Sequence, residues 1–252
     1  MFVTASDMKN QFGQYLKQTM DENTQFIITK NNKRVARLSP YISDIEKYYT
    51  IREDAVDYEY DSMRVSYEEF MEIYEKSNTR MEFINGQIYV ISAPGLNHQA
   101  ILGNLYIIFK DYFKGKKCHP FMAPLDIHFR KKNIQDPDVM QPDLVVLCDL
   151  EGNVNAKQRY TGTPSLTLEI ISPSSRSIDM VYKLNTFMIS GVLEYWVVDP
   201  AKKTISVYCF EDCKVDRMEF YKSGETARSF VYEGLSADVG ALLNNEIWGS
   251  SE

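Results

Sequence analysis

The chain has 252 residues, 44% apolar and 25% charged, with a formal net charge of −7. That length supports one ample core, or a main domain with a small appendage. The acidic balance argues against a broad basic surface coating nucleic acid, while leaving room for a local phosphate-binding groove. With three histidines and four cysteines, a zinc cluster is not expected. Cys209 and Cys213 have a C-x3-C spacing that no second pair answers. Cys118 and Cys148 read as small core fillers, reduced in a cytoplasmic protein. The apolar runs are too short to cross a bilayer, and the N-terminus lacks a basic region followed by a long apolar one.

Residues 1–40 form a self-contained pattern. After a short extended piece, Thr4 or Ser6 can cap a helix whose Met8, Phe12, Tyr15, Leu16 and Met20 recur at helical spacing, with a break expected near Gly13. QFIITK and RVARLS read as two strands joined around Asn31-Asn32. About 40 residues bury too little to stand alone, so this segment should dimerise or dock. It carries six Lys/Arg against three Asp/Glu, whereas 41–60 carries two against six. Residues 41–64 therefore read as an acidic, tyrosine-rich linker, and a second domain is expected over 65–245.

In that domain, Ser66 and Glu69 have the spacing of a capping box at the start of SYEEFMEIYEKS. RMEFINGQIYVIS is a hairpin turning at Asn85-Gly86. NHQAILGNLYIIFKDYFKG is a helix with an apolar stripe of Ile101, Leu105, Ile108, Phe109 and Phe113. HPFMAPLDIHF, QPDLVVLC and SLTLEIIS follow as strands, then a helix over SIDMVYKLNTFMISG, then the strands VLEYWVVDP and TISVYCFE. Contiguous apolar strands alternating with helices indicate an α/β (α+β) fold, a partly parallel central sheet covered on both faces.

Two carboxylates break the apolar pattern. Asp143 opens the run in QPDLVVL, and Glu169 sits between Leu168 and Ile170 in a strand that alternates faces. An unpaired carboxylate there would lose several kcal/mol of hydration, roughly. It must be paired, bound to a metal, or placed at the mouth of a cleft. Adjacent strand ends could jointly hold Mg²⁺ or Mn²⁺, which take oxygen ligands, ready water for attack and steady charge on a phosphate. A nearby lysine would serve the same reaction. The structural alternatives are a salt bridge from Glu169 to Lys183, or a helix pair between Lys183 and Asp179 worth about 0.3–0.5 kcal/mol.

Two resemblances sharpen this reading. VTASDMKNQFGQYL and QFIITKNNKRVARLSP, in that order and spacing, resemble the N-terminal segment of Phd/YefM-type antitoxins. That implies dimerisation, or DNA binding with Lys9, Lys30, Lys33, Arg34 and Arg37 on phosphates; the same residues would also serve as a solvated face. From Tyr67 to about Leu243 the chain is similar to the Uma2 family of the PD-(D/E)xK restriction-endonuclease-like superfamily. The motifs are MEFINGQIYVISAPGLNHQ, QPDLVVL, PSLTLEIISPSS and DMVYKLNTFMISGVLEYWVVDP. The superfamily usually keeps its lysine two residues after the glutamate, where this chain has Ile171. The resemblance implies that Lys183 of the following helix supplies it.

By the same mapping Glu82, Asp143 and Glu169 take the acidic positions and hold Mg²⁺ or Mn²⁺. His98 and Asp126 support them, and Ser172 and Ser174 orient the loop. Each keeps a plainer role beside it: Glu82 paired with Arg80 or Lys76, His98 bonding at its helix N-terminus, Asp143 capping a strand. Arg130, Lys131 and Lys132 could hold a DNA backbone or form an exposed turn. The implied activity is that of an endonuclease, dimeric and not membrane-bound. A non-catalytic dimeric DNA-binding or interaction protein and a small-phosphodiester hydrolase remain the alternatives.

Overall fold

The computed structural model describes residues 2–21, 26–31, 33–38, 60–132, 134, 136–156, 158–171 and 178–243. The chain divides into two compact units, Met1–Glu59 and Tyr60–Glu252. Residues 41–59 of the acidic stretch lie outside the described residues. No described helix is long and apolar enough to cross a membrane.

The first unit runs β1 (Phe2–Thr4), α1 (Ala5–Asn10), α2 (Phe12–Asp21), β2 (Phe26–Lys30) and β3 (Lys33–Leu38). Thr4 is the cap, its Oγ1 accepting from Asp7 N at 3.1 Å. The helices part at Gln11 rather than at Gly13. β1 pairs parallel with β2, and β2 pairs antiparallel with β3. Val3, Met8 and Phe26 form a small core against which Tyr15, Ile28 and Leu38 pack.

Among the described residues of the second unit, the central sheet expected as one is divided into a larger and a smaller sheet. Helix α3 (Tyr67–Lys76) begins on the reciprocal Ser66–Glu69 capping box and packs Phe70 on β4 (Met81–Ile84) and β5 (Gln87–Val90). The connecting Asn85 and Gly86 both have positive φ, 51° and 77°, as a two-residue turn matched to strand twist requires. With β7 (Ile127–Phe129) and β8 (Asp138–Met140) these strands form an antiparallel sheet ordered β5-β4-β8-β7. Residues 60–64, expected in the linker, instead lie along β5, with Ser62 N donating to Ile88 O and Ile88 N to Met63 O.

HPFMAPLDIHF is therefore not one strand. It divides into β6 (His119–Met122) and β7, which enter different sheets. The larger sheet has the order β13-β12-β11-β10-β9-β6. Its remaining strands are β9 (Leu144–Leu147), β10 (Leu166–Ile170), β11 (Glu194–Asp199), β12 (Thr204–Glu211) and β13 (Lys214–Lys222). Only β10 and β11 pair in parallel; the other pairs are antiparallel. A two-stranded sheet, β14 (Thr226–Arg228) with β15 (Ser236–Asp238), completes the strands.

Alternation along the larger sheet decides where the site lies. Leu166, Leu168 and Ile170 join the core of the long helix α4 (Leu96–Phe113) and of α6 (Val239–Leu243). Val145, Leu147, Tyr195 and Val197 face the opposite core, with Ile84, Ile127, Phe129 and Phe187. Phe187 belongs to α5 (Leu184–Ile189), the helix of the β10–β11 crossover. Glu169, between Leu168 and Ile170, is thereby directed toward α5 and the smaller sheet.

Cys118 and Cys148, expected as separate reduced side chains, are joined in a disulfide. They stand one step beyond the His119↔Leu147 pair of β6 and β9, so the antiparallel register sets them face to face.

The Tyr67 hydroxyl meets His128 Nδ1 at 3.0 Å, tying α3 to β7. Burial pushes the His128 imidazole below its ordinary value of 6.5. The folded state thus prefers the neutral ring, and that contribution to stability is present above pH 6.5 and lost as pH falls below it. Urea unfolding of wild type beside H128Q should show the wild type losing stability faster between pH 7 and 5. Equal slopes would remove His128 from the acid response.

Candidate active site

A buried lysine bridges the two sheets. Lys183 Nζ lies 2.8 Å from Glu169 Oε1 and 3.0 Å from Glu82 Oε1. The three residues are 4–5% exposed. Glu169 comes from β10, Glu82 from β4, and Lys183 from the end of a π-helical turn, Ile178–Lys183, that leads directly into α5. The wider π-turn rotates the facing of α5 relative to a regular helix, a feature common at functional positions. Gln141 N also donates to Glu82 Oε1, at 2.9 Å. The charges in this triad are paired and further hydrogen-bonded, as buried ions must be.

Asp143 stands beside it. The β9–β10 register pairs Leu144 with Leu168, so its continuation sets Asp143 opposite Glu169. Asp143 Oδ2 accepts from Ile170 N at 2.8 Å and lies 3.1 Å from His98 Nε2. The His98 and Asp143 side chains retain 19% and 17% exposure, so this corner opens to solvent while the lysine does not. His98 sits in the first turn of α4 and bonds to the carboxylate.

Asp126 is one link removed. Its Oδ1 accepts from the Tyr74 hydroxyl and from Gln141 Nε2, each at 2.8 Å. Burial and the Asp126 carboxylate push the Tyr74 phenol up to about 12. Asp126 therefore reaches Glu82 through Gln141, whose side chain also accepts from Arg80 Nε. Arg80 bonds to Gln141 and Lys76 pairs with Glu72, so neither of the partners weighed for Glu82 is the one seen.

The basic run separates. Lys131 is 6% exposed, its Nζ donating to Asp138 Oδ1 at 2.7 Å and Asn85 Oδ1 at 3.0 Å. It is neither part of an exposed turn nor directed at a nucleic-acid backbone. Arg130 and Lys132 do face solvent. Lys33 is exposed, while the side chains of Arg34, Arg37 and Asp179, and all of Ser172 and Ser174, lie outside the described residues.

Asp138, Glu194 and Asp199 are buried carboxylates that the sequence did not single out. Asp138 Oδ2 accepts from Thr186 Oγ1 at 2.6 Å, holding the helix just after Lys183 to β8. Glu194, fully buried, accepts from Trp196 Nε1, Ser229 Oγ and the amides of Phe230 and Val231. Glu194 carries the cue that picked out Glu169, an acidic residue within an apolar run, whereas Asp138 stands between Pro137 and only two apolar residues.

Asp143 and Glu169 present hard oxygen donors on neighbouring strands, and three carboxylates stand against one lysine, so charge and donor type fit a divalent cation. Among the described residues no group of three His, Cys, Asp or Glu side chains is gathered as a metal site.

A mixed central sheet flanked by helices, with carboxylates and a buried lysine between it and the smaller sheet, is consistent with a restriction-endonuclease-like domain. The solved structure of "a putative nuclease belonging to DUF820" from Anabaena variabilis shares this fold, with a TM-score of 0.56 and 19% identity over 71% of this chain and 98% of that one. An uncharacterized Synechocystis sp. protein, slr1290, is 24% identical over 184 residues, 69% of this chain and 94% of its own length. Residues 67–240 match the family model Uma2, described as "Putative restriction endonuclease". The chain belongs to the Uma2 family.

Proposed function

We propose that the second unit is a divalent-metal-dependent phosphodiesterase acting on nucleic acid, an endonuclease using Mg²⁺ or Mn²⁺. The observation that carries this reading is Lys183, buried between Glu82 and Glu169 beside the opposed Asp143. The 14-residue gap from Glu169 to Lys183 is closed by the crossover helix, which supplies the lysine missing at Ile171.

Asp143 and Glu169 would hold the ion, with Glu82 as a direct or water-bridged third ligand. Bound there, a divalent ion would activate water and neutralise charge on the phosphate. Lys183 positions Glu169 and stabilises negative charge developing on the transferred phosphoryl oxygens. His98, hydrogen-bonded to Asp143 Oδ2, fixes that carboxylate's orientation at the exposed corner. Arg130 and Lys132 offer phosphate contacts.

The first unit would serve as a dimerising or DNA-binding segment of antitoxin type, using Lys9, Lys30, Lys33, Arg34 and Arg37, and would target or restrain the nuclease. Its exposed Phe12, Leu16 and Met20, four residues apart along α2, support dimerisation.

Calorimetry with Mn²⁺ near pH 7.5 on wild type, D143A and E169A, followed by assays on DNA, RNA and bis-aryl phosphates, tests the reading. Wild type should bind the ion, both variants should lose it, and D143N and E169Q should lower cleavage at least about 100-fold. Turnover of aryl phosphates alone would move the substrate to small phosphodiesters. A folded wild type with neither ion binding, with or without DNA, nor cleavage would establish the non-catalytic alternative.

A further inference from the structure

The larger sheet ends on β13, which among the described residues is an edge strand paired to β12 alone. A nine-residue edge is a template for another strand. Val215, Met218 and Phe220 on it stand 44%, 46% and 54% exposed. Their cross-strand partners on β12 are Phe210, Tyr208 and Ser206, and Phe210 and Tyr208 belong to the core of Phe187 and Tyr195. The row therefore carries that apolar layer out to the rim of the sheet.

An edge protected from its own copy bears like charges or a central lysine. β13 has a lysine at each end and a bulge at Asp216, but its centre is apolar and flanked by charges of both signs. Arg217 and Glu219 flank Met218 with opposite sign, so a second strand running antiparallel about Met218 sets each arginine against the other copy's glutamate. In that register Met218 meets Met218, and Phe220 becomes its diagonal neighbour on the same face.

We propose that β13 is an interface for a second copy of this chain, paired antiparallel about Met218 so that the two larger sheets become continuous. The contact is two-fold and closed. Lys214 then falls opposite the other copy's Lys222 at the two ends of the strand, so the favourable charge contacts are the two central Arg217–Glu219 pairs. Seven inter-strand steps of about 4.8 Å would then separate the two Glu169 residues, about 34 Å along the sheet. Under the nuclease reading, two sites lie about one duplex turn apart.

Full-length M218C, in a C213S background, would be oxidised mildly and the linked peptide mapped by mass spectrometry. Wild-type charges should give a 218–218 disulfide between copies. Adding R217E or E219R singly should cut its yield about fivefold or more, and R217E/E219R together should restore it, since the swap recreates opposite charges across the pair. Absence of the 218–218 link, or a yield indifferent to the charge variants, would overturn the interface. The readout needs no catalysis and is specific to this strand, so neither a failed nuclease reading nor dimerisation through the first unit can imitate it.

Discussion

Replacing Lys183 with methionine should destabilise the second unit by about 3–5 kcal/mol in urea titrations near pH 7.5, the range found when one partner of a buried ion pair is removed. The side chain is 5% exposed and supplies the cation between Glu82 and Glu169. Methionine fills much of the same volume, so the loss is electrostatic rather than a cavity. Two carboxylates from different sheets would then face each other away from water, with the Gln141 amide still donating to one of them. The triple variant E82Q/E169Q/K183M, which removes every charge, should recover most of the stability, because buried ion pairs replaced as a set cost little. A K183M protein within about 1 kcal/mol of wild type would mean that the pocket hydrates freely. The same pair of proteins separates folding from chemistry. If Lys183 acts on substrate, the triple variant regains its urea midpoint but not its cleavage.

The parts of this fold legible in the sequence are those with local causes. The Ser66–Glu69 capping box, the Asn85-Gly86 turn and the long helix α4 each follow from residues within a turn or two of one another. The division into two sheets was not legible, because β7 and β8 are three residues each and too short for alternation to register. The π-turn ending at Lys183 was hidden for a related reason, since one extra residue in a turn leaves the apolar spacing nearly intact.

The site was half legible. A carboxylate in an apolar strand announced that Glu169 needs a partner, but 14 residues of separation gave no reason to choose Lys183 over a metal or a turn. The salt bridge that forms is one of the alternatives the residues alone had raised, and the family motifs added only the catalytic role proposed for Lys183. Lys131 shows the opposite limit. In the run Arg130-Lys131-Lys132 the three cations look equivalent, yet strand alternation continued from Phe129 turns only the middle one inward, onto Asp138. Its burial could be foreseen only by knowing that Asp138 begins a strand beside it.

Glu194 carries the second large prediction. E194A should cost about 3–5 kcal/mol in urea unfolding, since it strands several donors at about 1–3 kcal/mol each before water relieves some of them. Those donors are Trp196 Nε1 at 2.6 Å, Ser229 Oγ at 3.0 Å, and the amides of Phe230 and Val231 at 2.7 and 2.9 Å. Buried backbone amides must be paired, and here one side chain pairs the 229–231 loop with the first residue of β11. The loop is no ornament, for Phe230 and Tyr232 pack on the α4 core and the Tyr232 hydroxyl lies 2.6 Å from Ser165 Oγ at the foot of β10. Freed of Glu194, residues 229–232 should become the preferred point of limited proteolysis, with α4 and the Glu169 strand following only at higher urea. E194Q should fall between wild type and E194A, because its carbonyl oxygen keeps one set of donors while its amide nitrogen opposes the other. If E194A unfolds at the wild-type urea midpoint, the three hydrogen bonds from Glu194 to residues 229–231 do not hold this loop and its packing on Phe113 and Tyr112 does so alone.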